Sequence, residues 1–313
     1  MKILFTADIH IRLGQKNVPV NWAKNRFFSF VEQLCAASEK VDLVVIGGDT
    51  FDRIPSIEEL ELYFHLVDSL PTKTIIFSGN HEATKKRSTF LSALSSVTNS
   101  INPKVTIVTE VTTFDWGHIV PYCFIKDKSI FTGLSKDRPV FTHVRAEIPP
   151  HVKPEIDLTQ LQEFPIVYAG DLHSHSNSQA NIIYPGSPMT TSFHRSNVPT
   201  GYITLEGTEW EWHSLDLPQL IRKTVEKEED IVPTEYDHTI YVLEGSVTDL
   251  SSVKDKDLLD KKVVKRSTET SLILTKDMSI SEELAEYLLY ILELPEEEVH
   301  ELVGEFNDNI KEH

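Results

Sequence analysis

The chain is poor in cysteine. Its 313 residues include two, Cys35 and Cys123. That is too few for a disulfide framework or a zinc ribbon, so a reducing, cytoplasmic setting is expected. No apolar run approaches the ~18 residues a membrane helix needs. The short apolar start, Met1-Lys2-Ile3-Leu4-Phe5, meets Asp8 and His10 at once and lacks the small-residue cleavage site of a signal peptide. Internal repeats and low-complexity tracts are absent. Positive charge is scarce too. Thirty Lys and Arg stand against 48 Asp and Glu, a formal net charge of −18. This excludes a broadly basic nucleic-acid-binding surface, but not a local site in which metal ions neutralise phosphates. The acidic excess is concentrated. Residues 226–313 carry 24 acidic and 9 basic side chains, whereas residues 1–225 carry 24 and 21. Such a C-terminal quarter serves solubility or docks a basic partner.

What is present reads as alternation. Short apolar runs predict strands at Lys2–Thr6, Leu43–Gly47, Thr74–Ser78, Val105–Val108, Val140–Thr142 and Ile166–Ala169. Amphipathic periodicity predicts helices at Trp22–Ser38 and Ile57–Leu70. This order favours an α/β sandwich, two sheets flanked by helices. After Tyr184 shorter alternating runs, Gly201–Glu206 and Glu209–Leu215, look antiparallel. A boundary is expected at Leu217-Pro218, closing a first domain over 1–217. A small α/β unit over 218–278 follows, with a strand at Thr239–Leu243, a polar helix near Leu250–Leu259, and strands near Lys262–Arg266 and Ser271–Leu274. Residues 279–313 read as a helix pair. Ser279 and Glu282 have capping-box spacing. Leu284, Tyr287, Leu288, Ile291 and Leu292 form one apolar stripe, and Val299, Leu302, Val303, Phe306 and Ile310 a second. Pro295, followed by Glu296, Glu297 and Glu298, suits the first turn of the last helix.

Five polar clusters each follow a predicted strand: Asp8-Ile9-His10, Gly48-Asp49-Thr50-Phe51-Asp52-Arg53, Gly79-Asn80-His81-Glu82, Thr142-His143, and Gly170-Asp171-Leu172-His173. Any one alone would pass for a polar loop. Together they matter, because the C-terminal ends of strands in open α/β sheets form the ligand crevice. Carboxylate, imidazole and amide oxygens without thiolates favour manganese, iron or magnesium. Two such ions ~3.5–4 Å apart suit an anionic phosphoester, and an Asp carboxylate suits the bridge between them.

In this order the motifs resemble the calcineurin-like metallophosphoesterases. Within them they resemble the SbcD-type nuclease subunit of the SbcC–SbcD family, in a short, phage-type form. Gly48-Asp49-Thr50-Phe51-Asp52 is close to that branch's Gly-Asp-Leu-Phe-Asp, and Tyr184-Pro185-Gly186-Ser187-Pro188 is close to its Tyr-Pro-Gly-Ser-Pro loop. The motifs cover about residues 1–217; beyond that the likeness is one of layout, a capping domain and then C-terminal helices.

The resemblance implies roles. Asp8, His10, Asp49 and His173 would hold one divalent ion, with Asp49 bridging to a second completed by Asn80, His143 and Asp171. Manganese is the first choice of metal, with magnesium or iron as alternatives. His81 would be the catalytic histidine, and Asp52 would orient it. Arg12, Arg53, Lys85, Lys86, Arg87 and Arg195 flank the motifs and would contact DNA phosphates. The implied activity is 3′→5′ exonuclease action on duplex DNA and endonuclease action on single strands and hairpins. The implied assembly is a homodimer joined, through the C-terminal helices, to an SbcC-like coiled-coil ATPase in the host-cell cytoplasm, away from membranes. One position departs: the family has Gly-His-x-His where this chain has Asp171. An added carboxylate is expected to weaken Lewis acidity and shift the pH optimum upward. His175 reads as a loop residue. Two alternatives stay open. Gly48–Arg53 approaches a protein-phosphatase signature, although Ile54 replaces the Gly that continues it. A scaffold that lost catalysis through Asp171 is the other.

Overall fold

The computed structural model describes residues 1–83, 89–150, 152–246, 250–251, 253–254, 257–264, 278–290, 292 and 294–311. The chain divides into two compact units, residues 1–243 with 254–261, and residues 244–253 with 262–313.

The first unit begins as repeated strand–helix units. Strand β1 (Lys2–Thr6) leads to helix α1 (Val20–Ser38), β2 (Leu43–Gly47) to α2 (Ile57–Ser69), and β3 (Thr74–Phe77) to α3 (Leu91–Ile101) and β4 (Val105–Val108). These four strands are parallel. Five more form a second sheet in chain order: β5 (Thr112–Phe114), β6 (Gly117–Val120), β7 (Val140–His143), β8 (Val167–Gly170) and β9 (Ile182–Ile183), with a short helix α4 (Lys128–Gly133) before β7. The chain then returns. The hairpin β10 (Gly201–Glu206) and β11 (Glu209–Ser214) adds antiparallel strands beside β1, giving the order β11-β10-β1-β2-β3-β4.

The side-chain period of two explains the layers. Ile3 and Phe5, Val45, Ile75 and Phe77 face Phe141 and Tyr168 of the second sheet, in a core between the sheets. Their neighbours Leu4, Val44, Ile46 and Ile76 pack instead with Phe27, Phe30, Leu62 and Leu66 of α1 and α2. On the far face of the second sheet, Val140, Val167 and Ala169 meet Phe131 of α4. Strands buried on both sides read as unbroken apolar runs, as parallel strands do. The result is the expected α/β sandwich. Each fully buried large side chain contributes about 1.5–3 kcal/mol. α2 starts on a capping box: Ser56 Oγ accepts from Glu59 N (3.2 Å), and Glu59 Oε2 accepts from Ser56 N (2.7 Å).

A three-stranded sheet follows in the order β12 (Leu220–Val225), β13 (His238–Gly245) and β14 (Leu259–Val264). The expected helix near Leu250–Leu259 is corrected here. Among its described residues only Leu250 and Ser251 are helical, Asp257 and Leu258 form a turn, and Leu259 opens a strand. The Leu258 carbonyl accepts from Tyr241 N (2.8 Å), so strand pairing overrides the local polar pattern. The strand expected at Ser271–Leu274 lies outside the described residues. In the second unit, α5 (Ile280–Tyr290) and α6 (Glu296–Lys311) form the helix pair, and the Ser279–Glu282 capping box is present.

Candidate metal centre

The five clusters meet at the C-terminal ends of the parallel strands of the two sheets. The loops after β1 and β2 are joined by main-chain hydrogen bonds: Asp8 N donates to Gly48 O (3.1 Å), His10 N to Asp49 O (2.9 Å) and Ile11 N to Thr50 O (2.8 Å). This tight path puts Asp8, His10, Asp49 and Asp171 at φ of 57°, 49°, 49° and 101°. Asp and His tolerate that left-handed region better than most residues, and such strain gathers at functional sites. Glycine is required beside them. A Cβ on Gly79 would sit 2.1 Å from Asp49 Oδ1, and one on Gly48 would sit 2.5 Å from His143 Nδ1.

Three sets of donor atoms lie within 4.8 Å of one another: Asp8, His10 and His173; His10, Asp49 and His81; and Asp8, Asp49 and His143. Asp49 Oδ2 is central, 3.3 Å from His143 Nε2, 3.7 Å from His10 Nε2 and 3.8 Å from His81 Nε2. Three of the four imidazoles are tethered at Nδ1 and turn Nε2 inward. His143 Nδ1 donates to Gly47 O (2.9 Å), His81 Nδ1 pairs with Asp52 O (2.5 Å) and His173 Nδ1 with Thr191 Oγ1 (3.0 Å). Outer partners of this kind fix the orientation of ligand rings. His10 Nδ1 is buried without a hydrogen-bond partner, 3.7 Å from Asp52 Oδ1.

These contacts fit a pair of cations. Asp8, Asp49 and Asp171 have side chains 0–2% exposed. Among the described residues, Arg145 is the one Arg or Lys paired with any of them. The Nε2 atoms of His10 and His173 face each other at 3.1 Å, where at most one can be a donor. Asn80 Oδ1 lies 2.8 Å from His143 Nε2. Without a cation Asn80 does better with its nitrogen inward, donating to Asp49 Oδ2 (3.0 Å), Asp171 Oδ1 (3.2 Å) and His143 Nε2 (2.8 Å), whereas a cation would take the oxygen. Burial pushes Asp8 well above the ordinary carboxylate range and takes His10 down to about 3. Burial also lowers His173, so both rings are neutral, as ligands must be. At Asp49, burial is outweighed by the neighbouring His143, which holds its carboxyl well below the usual range, and Asp49 in turn raises His143. An anion in this position suits a bridge between cations.

The sequence-predicted residues are therefore gathered with few changes. Asp8, His10, Asp49, Asn80, His81, His143, Asp171 and His173 converge. Asp52 meets His81 through its main-chain carbonyl, while its carboxylate turns toward Arg12 (3.4 Å), Arg53 (3.6 Å) and His10. Arg12 and Arg53 are thus at the rim but engaged by Asp52, and Arg53 also pairs with Glu59 (3.0 Å). Arg195 is exposed, next to His194, which pairs with Ile221 of β12. Lys85, Lys86 and Arg87 lie outside the described residues. His175 is placed structurally: Nδ1 donates to Tyr184 O (2.6 Å), and the ring stacks on Trp212.

Some supporting residues escaped the sequence. Glu82, visible in its motif but without an expected role, accepts from Asp49 N (3.1 Å), Phe51 N (2.8 Å) and Gly79 N (2.8 Å), tying two ligand loops together. Burial, and then the Asp49 charge, push its carboxyl up to about 7. Ser187 Oγ lies 2.7 Å from Asp8 O and 2.6 Å from Met189 O, which explains the Tyr184–Pro188 loop as a brace beneath Asp8. Arg145 binds Asp171 through two hydrogen bonds, Nε to Oδ2 (2.8 Å) and Nη2 to Oδ1 (3.1 Å). This changes the expectation for Asp171, whose charge is compensated.

Known proteins agree with this geometry. Residues 1–154 match the family described as Calcineurin-like phosphoesterase. The full chain is 39% identical over 326 residues to "Probable exonuclease subunit 1" of Escherichia phage T5, covering 100% of both proteins. It is 27% identical to "Putative phosphoesterase 078R" of Invertebrate iridescent virus 3, over 69% of this chain and 66% of that protein. By motif, by site geometry and by this full-length relationship, the chain belongs to the calcineurin-like metallophosphoesterases.

Proposed function

We propose that the chain is a two-metal DNA phosphodiesterase, the nuclease subunit of an SbcC–SbcD-like, ATP-dependent complex. The observation that carries this is the gathering of three buried carboxylates and four imidazoles in one site, with Asp49 in contact with three of the rings. Asp8, His10, Asp49 and His173 would hold one ion, and Asp49, Asn80, His143 and Asp171 the other, with manganese preferred. Such ions, when bound, neutralise the phosphate and stabilise the attacking and leaving oxygens.

His81 does the proton work in this reading. Its side chain is 36% exposed, at the mouth of the site. With Nδ1 held by the Asp52 carbonyl, Nε2 is the ring nitrogen that would carry a proton to a leaving 3′-oxygen. Arg12, Arg53 and Arg195, with Lys85, Lys86 and Arg87, would guide the backbone phosphates. They would supply a local positive field within an acidic chain.

The phage relative is named as a subunit of an exonuclease, which supports both the nucleic-acid substrate and a multi-component assembly. We assign residues 1–217 as the nuclease domain, 218–278 as a capping domain and 279–313 as helices that bind a coiled-coil ATPase, in a dimer that works in the host-cell cytoplasm. Exposed Tyr287 and Leu302 on those helices, and Leu292 between them, support a docking role. No described helix is long and apolar enough to cross a membrane. The expected activities are 3′→5′ exonuclease on duplex DNA and endonuclease on single strands and hairpins. The test is cleavage of end-labelled duplex, single-stranded and hairpin DNA with manganese, with and without the ATPase and ATP, beside a phosphopeptide control. Preference for the phosphopeptide, or no manganese-dependent DNA cleavage in any combination, would reject the reading.

A further inference from the structure

We propose that Arg145 is a positioning residue of the metal centre: it locks the Asp171 carboxylate in place and cancels its charge, so that the pair substitutes for one neutral ligand. The inference rests on the two-metal reading above.

The geometry is specific. Arg145 grips Asp171 through two N–H···O contacts of 2.8 and 3.1 Å, a fork that fixes the plane of a carboxylate. Oδ1 of Asp171 is also 3.9 Å from His143 Nε2. One oxygen therefore faces the centre while the other faces outward to Arg145 Nε. Asp171 is 2% exposed and Arg145 44% exposed in their side chains, so the cation sits on the rim and the anion inside. Strand register produces this meeting. His143 of β7 pairs with Gly170 of β8, and Val144 N donates to Gly170 O (3.2 Å). The residues just past each strand end thus face each other. Arg145 is braced from behind, its N–H donating to Glu155 Oε1 (3.0 Å) while Tyr122 Oη donates to Glu155 Oε2 (2.8 Å).

Charge gives the pair its meaning. A neutral imidazole at position 171 would add no charge to the centre. A lone carboxylate would add one negative charge, and Arg145 at hydrogen-bond distance removes it. Neither half can then be exchanged alone. Asp171→His leaves an unpaired guanidinium beside two cations. Arg145→Met leaves a lone buried carboxylate, which repels its acidic neighbours when metal is absent and attracts cations when they bind. Changing both restores the balance.

The experiment uses the full chain, stripped with chelator, as four proteins: parent, Asp171→His, Arg145→Met and the double variant. Manganese affinity is measured by calorimetry without DNA, and the unfolding temperature is measured with and without manganese. Asp171→His should weaken manganese binding about tenfold, because the unpaired guanidinium then faces the bound cations. Arg145→Met should tighten it about tenfold, the freed Asp171 charge outweighing the loss of its orienting partner, while lowering the metal-free unfolding temperature. The double variant should return to within about threefold of the parent, because the two charge changes offset. An Asp171→His, Arg145→Lys double variant keeps the cation and should not be rescued. If Arg145→Met alone fails to fold, the two double variants still decide the matter. Equal binding by both doubles, or a double variant that stays as weak as Asp171→His alone, would overturn the inference while leaving the metal centre standing. Absence of manganese binding in the parent would overturn both.

Discussion

The two sheets deliver the residues of the site differently. The six-stranded sheet supplies Asp8, His10, Asp49, Asn80 and His81 from loops laced together by main-chain hydrogen bonds and by Glu82. The five-stranded sheet supplies His143, Asp171 and His173, whose side chains are oriented from outside the centre by partners distant in sequence: the Gly47 carbonyl, Arg145 and Thr191. The first half is a rigid frame in which ligand and support share a motif. The second half is a set of separate side-chain arms. Damage to the frame should disturb several ligands at once, whereas damage to an arm should loosen one.

The most severe test of the frame is Asp49→Ala, since Asp49 touches three imidazoles and accepts from His81 N (2.9 Å). Manganese-dependent DNA cleavage should fall by about 10³-fold or more, because both ions lose their shared anion. Calorimetry should show fewer than two bound ions. Cleavage within tenfold of the parent would mean the centre lies elsewhere. His81→Ala should come next, slowing DNA cleavage by roughly 10²–10⁴-fold, the range for a general acid. Manganese stoichiometry should stay intact, because His81 is assigned to the leaving group. An aryl phosphodiester, whose leaving group needs no proton, should lose much less. Equal losses on both substrates would remove the general-acid role.

Glu82→Gln probes the lacing itself. The amide keeps the shape but halves the acceptors available to three main-chain N–H donors. Manganese affinity should fall about 10–100-fold at both ions, as for an outer-shell residue that orients several ligands. The pH dependence has a definite sign in the chelated protein. The folded pKa of Glu82 is raised from 4.5 to about 7. Its contribution to stability is therefore fully present below about pH 4.5 and is lost as pH rises through about 7. Denaturant melts should show Glu82→Gln costing more at pH 5 than at pH 8. A cost independent of pH would show that Glu82 is ionised throughout.

This division between frame and arms also decides what could be read from sequence. Most strands and the polar cluster after each are legible because strand and cluster are adjacent in the chain, as in Leu43–Gly47 followed by Asp49. Glu82 was visible but unassigned, since a carboxylate in a Gly-rich motif does not reveal which N–H groups it will accept from. Arg145 carried no signal. Its partner is 26 residues away, and only the register of β7 against β8 brings them together. Helix α3 was missed because Leu91–Ile101 is rich in Ser, Thr and Asn, poor helix formers whose helix is imposed by buried Leu91 and by Thr98, paired with Tyr63 (2.8 Å).

An arm should break alone, and Thr191→Val tests this with the smallest expected effect. Thr191 Oγ1 is 3.0 Å from His173 Nδ1, and no other hydrogen-bond partner holds that ring nitrogen among the described residues. Valine keeps the volume and removes the hydroxyl. His173 should then sample other ring orientations, weakening one manganese ion by about tenfold, the low end for loss of an outer partner. The other ion should bind as before, because His143 and Asp49 do not touch Thr191. Two resolved calorimetric steps, one shifted and one unchanged, would support independent arms. A matching loss at both steps would show that His173 is coupled to the whole centre, through the 3.1 Å approach of its Nε2 to that of His10. In that case the distinction between a laced frame and separate arms would not extend to this ligand.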